Sequence, residues 1–280
     1  MVDAILYCFG YCAELRGMVM HQLTLMHNHY HCIATDPLGL RVDFIKDSHE
    51  MIARCIKALR GHDGKPMGGT VWEPSEQTGR VMLVSEEAFV EACAYAIANP
   101  VAAGLVSSTS EWPSFVSHAK DMIGNRAITA RRPACLPDTY PETATLRLSL
   151  PPFLAARGRA LVDAIEVRTT EKQRDARVKV RERKGRFKTR AELLAVDPFD
   201  SPKTAKRQNF VVPVLRASRA AVLRVAKKQL VAWRNAYRLA FERFRGGDRE
   251  AEWPTGTWFY ARYAGVRVAP DSRWAAFGVS

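Results

Sequence analysis

The amino-acid sequence predicts an α+β fold, in which helices pack on an antiparallel sheet. Two observations indicate this class. Helical and extended patterns follow each other along the N-terminal part of the chain in the order helix, strand, strand, helix, strand or hairpin, helix. Hydrophobic residues make up 47% of the 280 residues, so the chain can bury a sizeable core.

The first predicted elements are one helix and two strands. Apolar residues at helical spacing predict a helix over residues 3–16, and Gly17 is suited to end it. Extended segments then cover residues 18–26 and 29–35, before a turn-prone stretch at residues 36–39.

The next predicted elements alternate again. Apolar residues recur at helical intervals over residues 44–59, and a glycine-rich loop follows at residues 61–69. Residues 70–72 and 80–84 are predicted to be short strands. Ser85 then begins a third helix as its N-cap residue, with two glutamates in the first turn.

The chain is predicted to divide into three parts. The third helix ends before Pro100, and the domain that contains it covers residues 1–120. Residues 121–152 are rich in Pro, Thr, Ser and Arg and are predicted to be a linker or an irregular meander. Residues 153–280 form a basic, mainly helical C-terminal region, which includes a long helical pattern over residues 217–244.

The net charge of +13 indicates a polyanionic partner, and nucleic acid is the leading candidate. The charge is concentrated in residues 168–190, where eleven Lys and Arg residues accompany three acidic ones. A solvated linker or an exposed helix face is the alternative explanation of this stretch. The chain has no apolar run of membrane-spanning length and no signal-peptide pattern, so we expect a cytoplasmic protein without a membrane partner.

The segment MHNHYH, residues 26–31, places histidines at every second position. Side chains two residues apart on a strand point to the same face, so His29 and His31 are expected to lie together, with Tyr30 on the opposite face. Two imidazoles on one face can share a metal ion. An HxH pair alone is more often a surface feature or a satisfied part of the core, and both explanations stay open at this point.

The third predicted helix carries a tyrosine and an asparagine away from its apolar stripe. Phe89, Cys93 and Ile97 form that stripe, whereas Tyr95 and Asn99 lie off it and are neighbours at i and i+4. A phenol oxygen can act as a nucleophile, and an amide oxygen can complete a metal shell begun by two histidines. On spacing alone, a half-exposed tyrosine that covers the helix surface is the commoner arrangement.

The two segments together resemble a known family. MHNHYH is similar to the HUH motif (His, bulky hydrophobe, His) of single-tyrosine transposases. CAYAIANPVAAGLVSSTSEWPS resembles their nucleophile helix, which is commonly written Y-x-x-x-N-P-V-x-A-G-L-V and is followed by W-P. The likeness is to the REP-associated tyrosine transposase-like proteins of bacteria, covers about residues 1–118, and continues weakly to residues 254–258. The matching positions are Tyr95, Asn99, Pro100, Val101, Ala103, Gly104, Leu105, Val106, Trp112 and Pro113.

The resemblance implies a transposase that cleaves and rejoins single-stranded or hairpin DNA through a 5′-phosphotyrosine intermediate. It implies a ferredoxin-like antiparallel sheet with helices on one face and with the histidines on a central strand. His29 and His31 would bind a divalent ion, Mg²⁺ or Mn²⁺, with Asn99 as the third ligand. Tyr95 would attack the scissile phosphate. The basic stretch would contact DNA phosphates, through the candidate residues Arg177, Lys179, Arg181, Arg183, Lys184, Arg186, Lys188 and Arg190.

Two features depart from the family pattern. Relatives usually begin with an additional strand, so this sheet is expected to lack the first strand and to have an open edge. His27 stands where relatives usually carry Pro or Ser, and it is expected to be an exposed turn residue. The alternative function is therefore a catalytically inactive DNA-binding remnant of such a transposase. A small zinc-binding regulatory protein that uses His27, His29 and Cys32 is a third hypothesis, although this spacing fits no familiar tetrahedral site.

Overall fold

The computed structural model describes residues 1–61, 65–72, 81–196 and 214–269. Helices and short strands are mixed, as expected for an α+β protein. The helices are α1 (Val2–Arg16), α2 (Arg41–Leu59), α3 (Glu86–Ala102), α4 (Ala119–Ile123), α5 (Gly158–Glu182), α6 (Arg190–Leu194), α7 (Ala220–Arg245) and α8 (Trp258–Ala264). The strands are β1 (Val19–Leu25), β2 (Tyr30–Thr35), β3 (Val81–Leu83), β4 (Ala127–Arg131), β5 (Thr143–Arg147), β6 (Val214–Arg216), β7 (Glu252–Trp253) and β8 (Arg267–Val268).

The predicted first helix and the two strands after it are confirmed. Gly17 ends α1 in the left-handed conformation, with φ 64°, which glycine adopts without a Cβ clash. β1 and β2 pair antiparallel, and the register places Tyr30 opposite Leu25 and His31 opposite Thr24. Successive side chains therefore point to opposite faces of the pair, as the sequence pattern predicts.

Helices cover both faces of the β1–β2 pair, so the predicted arrangement with helices on one face only is wrong. Phe9 of α1 lies 5.0 Å from Tyr30, ring centroid to ring centroid, on one face. On the opposite face, Tyr95 of α3 lies 5.4 Å from His31. The physical reason lies in β1, whose residues are buried at every position after the first, so both of its faces need a covering layer.

β2 is an edge strand, not the central strand that the resemblance implies. In the described ranges it pairs with β1 alone. β1 makes its further bridges on its other side, from Met20 to Leu148 and from Thr24 to Val116.

Residues 121–152, which the composition predicts to be a linker or an irregular meander, instead contribute to the core. β4 and β5 form an antiparallel pair there, and Leu146 and Leu148 are fully buried in the same cluster as α1. A Cβ on Gly10 of α1 would lie 2.8 Å from the backbone nitrogen of Leu146, so helix and strand backbones are in contact. The alternating burial of β5 is a strand signal that its polar composition conceals.

The predicted boundary after residue 120 also fails to separate two cores. Leu161 and Ile165 of α5 are fully buried in one cluster with Phe89 and Ile97 of α3. The long basic helix therefore belongs to the same packed unit as the tyrosine helix. Residues 197–213 and 270–280 of the predicted C-terminal region lie outside the described residues.

Three smaller predictions need correction. Residues 70–72 do not form a strand, because Trp72 stacks on His49 with ring centroids 4.0 Å apart and donates its Nε1–H to the His49 carbonyl. β3 pairs in parallel with the distant β6, not within a local hairpin. α3 continues through Pro100 to Ala102, and at its end the Ala103 N–H donates to the Asn99 carbonyl and the Leu105 N–H to the Pro100 carbonyl.

The end of the described chain packs around one tryptophan. Trp253 is fully buried and contacts aromatic residues of α7 and α8, including Phe244 and Tyr260. The predicted long helix is confirmed as α7. Within the ranges that the structure describes, no helix combines the length and the apolar character needed to cross a bilayer.

Candidate functional site

His29 and His31 lie side by side at the start of β2. Their ring centroids are 5.0 Å apart, with the planes nearly perpendicular. The ladder to β1 extends as far as His29, whose carbonyl accepts from the Met26 N–H. Because Tyr30 points into the opposite core, both imidazoles are left on the face that α3 covers.

α3 brings Tyr95 and Asn99 to the same two histidines. The Tyr95 ring lies 5.4 Å from the His31 ring and is 46% exposed. Asn99, one turn further along, is only 8% exposed, and its side chain is close enough to His31 to influence the pKa of that ring. All four residues singled out by the sequence, two histidines from β2 and two residues from α3, therefore meet on one face of the pair.

Local interactions hold α3 in this position. Ser85 caps its first turn by accepting from the Ala88 N–H at 3.2 Å, as predicted. The predicted apolar stripe is buried in a cluster with α5, which turns Tyr95 out of the core. Beyond the helix, the Trp112 indole donates to the Leu25 carbonyl of β1 at 2.8 Å, which ties the W-P segment to the histidine-bearing pair.

The environment keeps the histidines neutral. Burial, together with the nearby His29, lowers the pKa of His31 to about 4, although the Asn99 side chain favours the protonated ring and acts in the opposite direction. Desolvation also lowers the pKa of His29. Since a metal ion binds the neutral imidazole, both rings are in the ligand form at neutral pH.

One buried atom beside Tyr95 and Asn99 has no partner within the described part of the protein. The Nε2 atom of His31 is buried and has no hydrogen-bond partner among the described residues. A buried nitrogen without a partner is costly in a folded protein unless another group occupies that position. A divalent cation bound by the two imidazoles and the Asn99 amide oxygen fits this position.

Asn28, which the sequence pattern does not identify as a site residue, orients the other imidazole. Its Oδ1 atom lies 2.8 Å from Nδ1 of His29. An amide oxygen accepts, so His29 carries its proton on Nδ1 and keeps the lone pair on Nε2 for a ligand. Adjacency to an HxH pair was the only sequence signal for this role.

The described residues contain no group of three or more His, Cys, Asp or Glu that could hold a metal ion. The predicted ligand set has two histidines and an amide, so it falls outside that definition. The zinc hypothesis is not supported, because Cys32 lies on the opposite face of β2 from the histidines, where burial raises the pKa of its thiol to about 12. His27 is exposed in the bend, as predicted, with its ring 4.8 Å from Trp112.

The predicted DNA-binding residues fall into different settings. Lys179 and Arg183 line a groove of about 530 Å³ between α3 and α5, together with Tyr95. Arg177 donates to the Ser107 carbonyl, and Arg186 pairs with Glu192, so both are engaged within the protein. The other four residues of the set, Arg181, Lys184, Lys188 and Arg190, are exposed, as are Lys179, Arg183 and Arg186. The charge of Lys188 contributes to lowering the pKa of His27, so this lysine lies near the bend before β2.

Comparisons of the chain with protein-family models, with curated proteins and with solved structures gave no match.

Proposed function

We propose that this protein is a cytoplasmic single-tyrosine transposase, which cleaves and rejoins single-stranded or hairpin DNA through a 5′-phosphotyrosine intermediate. The proposal includes a ferredoxin-like sheet, of which β1 and β2 supply two adjacent antiparallel strands. The observation that carries it is the meeting of His29, His31 and Asn99 with the exposed hydroxyl-bearing side chain of Tyr95. Nothing in sheet packing requires these four polar residues on one face.

His29, His31 and Asn99 would hold a Mg²⁺ or Mn²⁺ ion. When bound, such an ion supplies electrostatic polarisation of a phosphate oxygen and helps to orient the phosphate. Asn28 fixes the His29 ring for this task through its 2.8 Å hydrogen bond. The half-buried, neutral His31 offers its Nε2 atom, which is buried and has no hydrogen-bond partner among the described residues.

Tyr95 supplies the nucleophile in the proposed reaction. Its phenol oxygen forms a bond to phosphorus as the bond between phosphorus and the 3′-oxygen breaks. The phenol gives up its proton, and the departing 3′-oxygen takes one up, so the step has no net proton change. The phosphodiester energy is kept in the phosphotyrosine bond, and attack by another 3′-hydroxyl rejoins strands without ATP.

The covalent intermediate gives the direct test. We expect the full-length protein, incubated with a single-stranded hairpin oligonucleotide and Mn²⁺, to form an adduct that survives denaturing electrophoresis. Tyr95→Phe should abolish the adduct, because it removes the attacking oxygen and leaves the ring. Tyr263→Phe is the matched control, since Tyr263 is also well exposed and belongs to α8.

Two outcomes would reject the proposed chemistry. An adduct that persists in Tyr95→Phe would assign the nucleophile to another residue. Salt-sensitive DNA binding with no adduct in either metal would favour the catalytically inactive DNA-binding remnant.

A further inference from the structure

We infer that the groove between α3 and α5 binds the phosphates that flank the scissile phosphate in single-stranded DNA, and that Lys179 and Arg183 contact them. This inference rests on the proposed function, because it takes the strand bound at Tyr95 as its ligand. It goes further by separating these two side chains from the rest of the basic stretch.

The shape of the groove suits a close approach of a nucleic-acid backbone. Apart from Tyr95, its α3 side is formed by small residues, Ala98 and Ala102, and just after the helix by Ala103 and Gly104. Tyr95 belongs to the same lining. A phosphodiester that reaches the Tyr95 hydroxyl therefore places its neighbouring phosphates at or near the groove.

The cations of the groove are of two kinds. Arg168 and Lys172 both pair with Glu91 of α3, with the Arg168 Nε atom 2.6 Å from the carboxylate. Lys179 and Arg183 are exposed and have no ion-pair partner among the described residues. The second pair is therefore the available positive charge beside the nucleophile.

The spacing of Lys179 and Arg183 strengthens the inference. Lys179 lies in the last turn of α5 and Arg183 is the C-cap residue four positions later, so two like charges lie next to each other and repel. Asp175 also lines the groove, one turn before Lys179. Its Oδ1 atom lies 3.8 Å from the Nε atom of Arg174, so this carboxylate pairs with Arg174. A polyanion in the groove would relieve this repulsion, because it supplies two adjacent negative charges to two adjacent cations.

The test measures DNA binding without catalysis. A Tyr95→Phe protein in EDTA is titrated with a fluorescent single-stranded oligonucleotide at several salt concentrations. In this background, Lys179→Gln with Arg183→Gln is compared with Arg181→Gln with Lys184→Gln. Both double variants remove two exposed positive charges from neighbouring positions of the chain, but Arg181 and Lys184 do not line the groove.

We expect the groove variant to bind about tenfold more weakly. Its plot of log affinity against log salt should lose about 1.4 units of slope, since each single-strand phosphate contact contributes about 0.7. The control variant should lose much less affinity and much less of the salt slope. Equal losses in the two variants would overturn the groove assignment.

The two experiments distinguish a wrong groove assignment from a wrong assignment of the cleavage activity. If the native protein forms the Tyr95 adduct while both double variants bind the oligonucleotide equally well, the cleavage activity is supported and the groove assignment is wrong. If no adduct forms but the groove variant alone loses affinity for the oligonucleotide, the groove assignment is supported and the proposed cleavage activity is wrong.

Discussion

At the scale of single residues, the candidate ligands depend on neighbours that orient them. His29 and His31 could be selected from the sequence, because the alternation of side chains along a strand is a local property. The role of Asn28 could not, since it depends on the side-chain conformation that brings its oxygen to the His29 ring. The same holds for Lys179 and Arg183, whose position beside Tyr95 follows from helix packing.

The first residue-scale prediction concerns Asn28. We expect Asn28→Ala to weaken Mn²⁺ binding about 10- to 100-fold, as is typical when the hydrogen-bond partner of a metal-binding histidine is lost. Isothermal titration calorimetry measures the affinity. His27→Ala is the control and should bind Mn²⁺ as the native protein does, because His27 packs against Trp112 and not with the His29–His31 pair. Equal affinities for native protein and Asn28→Ala would contradict the orienting role.

The second residue-scale prediction concerns pH and His21. This side chain is buried on β1 between the Ser149 carbonyl and the Thr35 hydroxyl, each 2.8 Å from a ring nitrogen, and burial lowers its pKa to about 4. The unfolded chain binds the proton more readily, with a pKa of about 6.5, so stability falls as pH drops through this window. The loss contributed by His21 should reach about 3 kcal/mol by about pH 4.

Urea unfolding of the native protein and His21→Gln at about pH 7.5 and about pH 4 measures this contribution. The variant should be less stable than the native protein at the higher pH, because its amide replaces the ring imperfectly. Its stability should also depend less on pH, since the titrating group is gone. The same pH dependence in both proteins would show that His21 does not drive the acid sensitivity.

At the scale of elements, the sequence predicted long periodic segments and missed short polar strands. α1, β1, β2 and α7 have enough regular positions for their apolar pattern to be read. β4 and β5 have five residues each, and their threonines and arginines resemble loop composition. They are strands because the backbone of α1 lies against β5, a contact between residues distant in sequence.

Gly10→Ala tests that contact. The new Cβ would lie 2.8 Å from Leu146 N and 2.9 Å from Thr145 C, both backbone atoms that cannot rotate away. We expect a loss of about 1–3 kcal/mol in the free energy of unfolding, despite the better helix propensity of alanine. Gly124→Ala is the control, because its nearest atom is 3.6 Å away, and it should stay within about 0.5 kcal/mol of the native protein. Similar stability of the two variants would contradict the close packing of α1 on β5.

Glu91 links α3 to α5 and also neutralises part of the groove. Burial opposes its ionisation, but the hydrogen bonds and charges of Arg168 and Lys172 outweigh it and lower its pKa. We expect Glu91→Gln to lower the free energy of unfolding by about 1 kcal/mol or less, since the ion pairs are partly solvated. The same variant should bind single-stranded DNA more tightly, because Lys172 loses its ion-pair partner and Arg168 keeps only Glu171.

Both measurements are made in the Tyr95→Phe background. Fluorescence anisotropy measures the affinity for DNA, and urea unfolding measures the free energy of unfolding. Glu86→Gln is the matched control, because Glu86 pairs with Arg157 and does not line the groove with Tyr95. Weaker DNA binding by Glu91→Gln than by Glu86→Gln would argue that the Glu91 carboxylate, not the cations it holds, positions the strand.

At the scale of the whole molecule, the site combines elements that the sequence assigns to separate regions. β2 contributes the histidines, α3 the tyrosine and asparagine, and α5 the basic wall of the groove. The net charge of +13 indicates a polyanionic partner, but it does not show where on the protein this partner binds. Packing of α5 on α3 brings the basic stretch to the groove that Tyr95 lines.

The most direct measurement is the identity and polarity of the covalent product. The protein is incubated with Mn²⁺ and a hairpin oligonucleotide labelled at either its 5′ or its 3′ end, then digested with trypsin and analysed by mass spectrometry. We predict that the 3′ label stays with the protein, that the released strand ends in a 3′-hydroxyl, and that the nucleotide is attached to the Tyr95 peptide. A product attached through its 3′ end, or attached to any other residue, would contradict the proposed transposase chemistry.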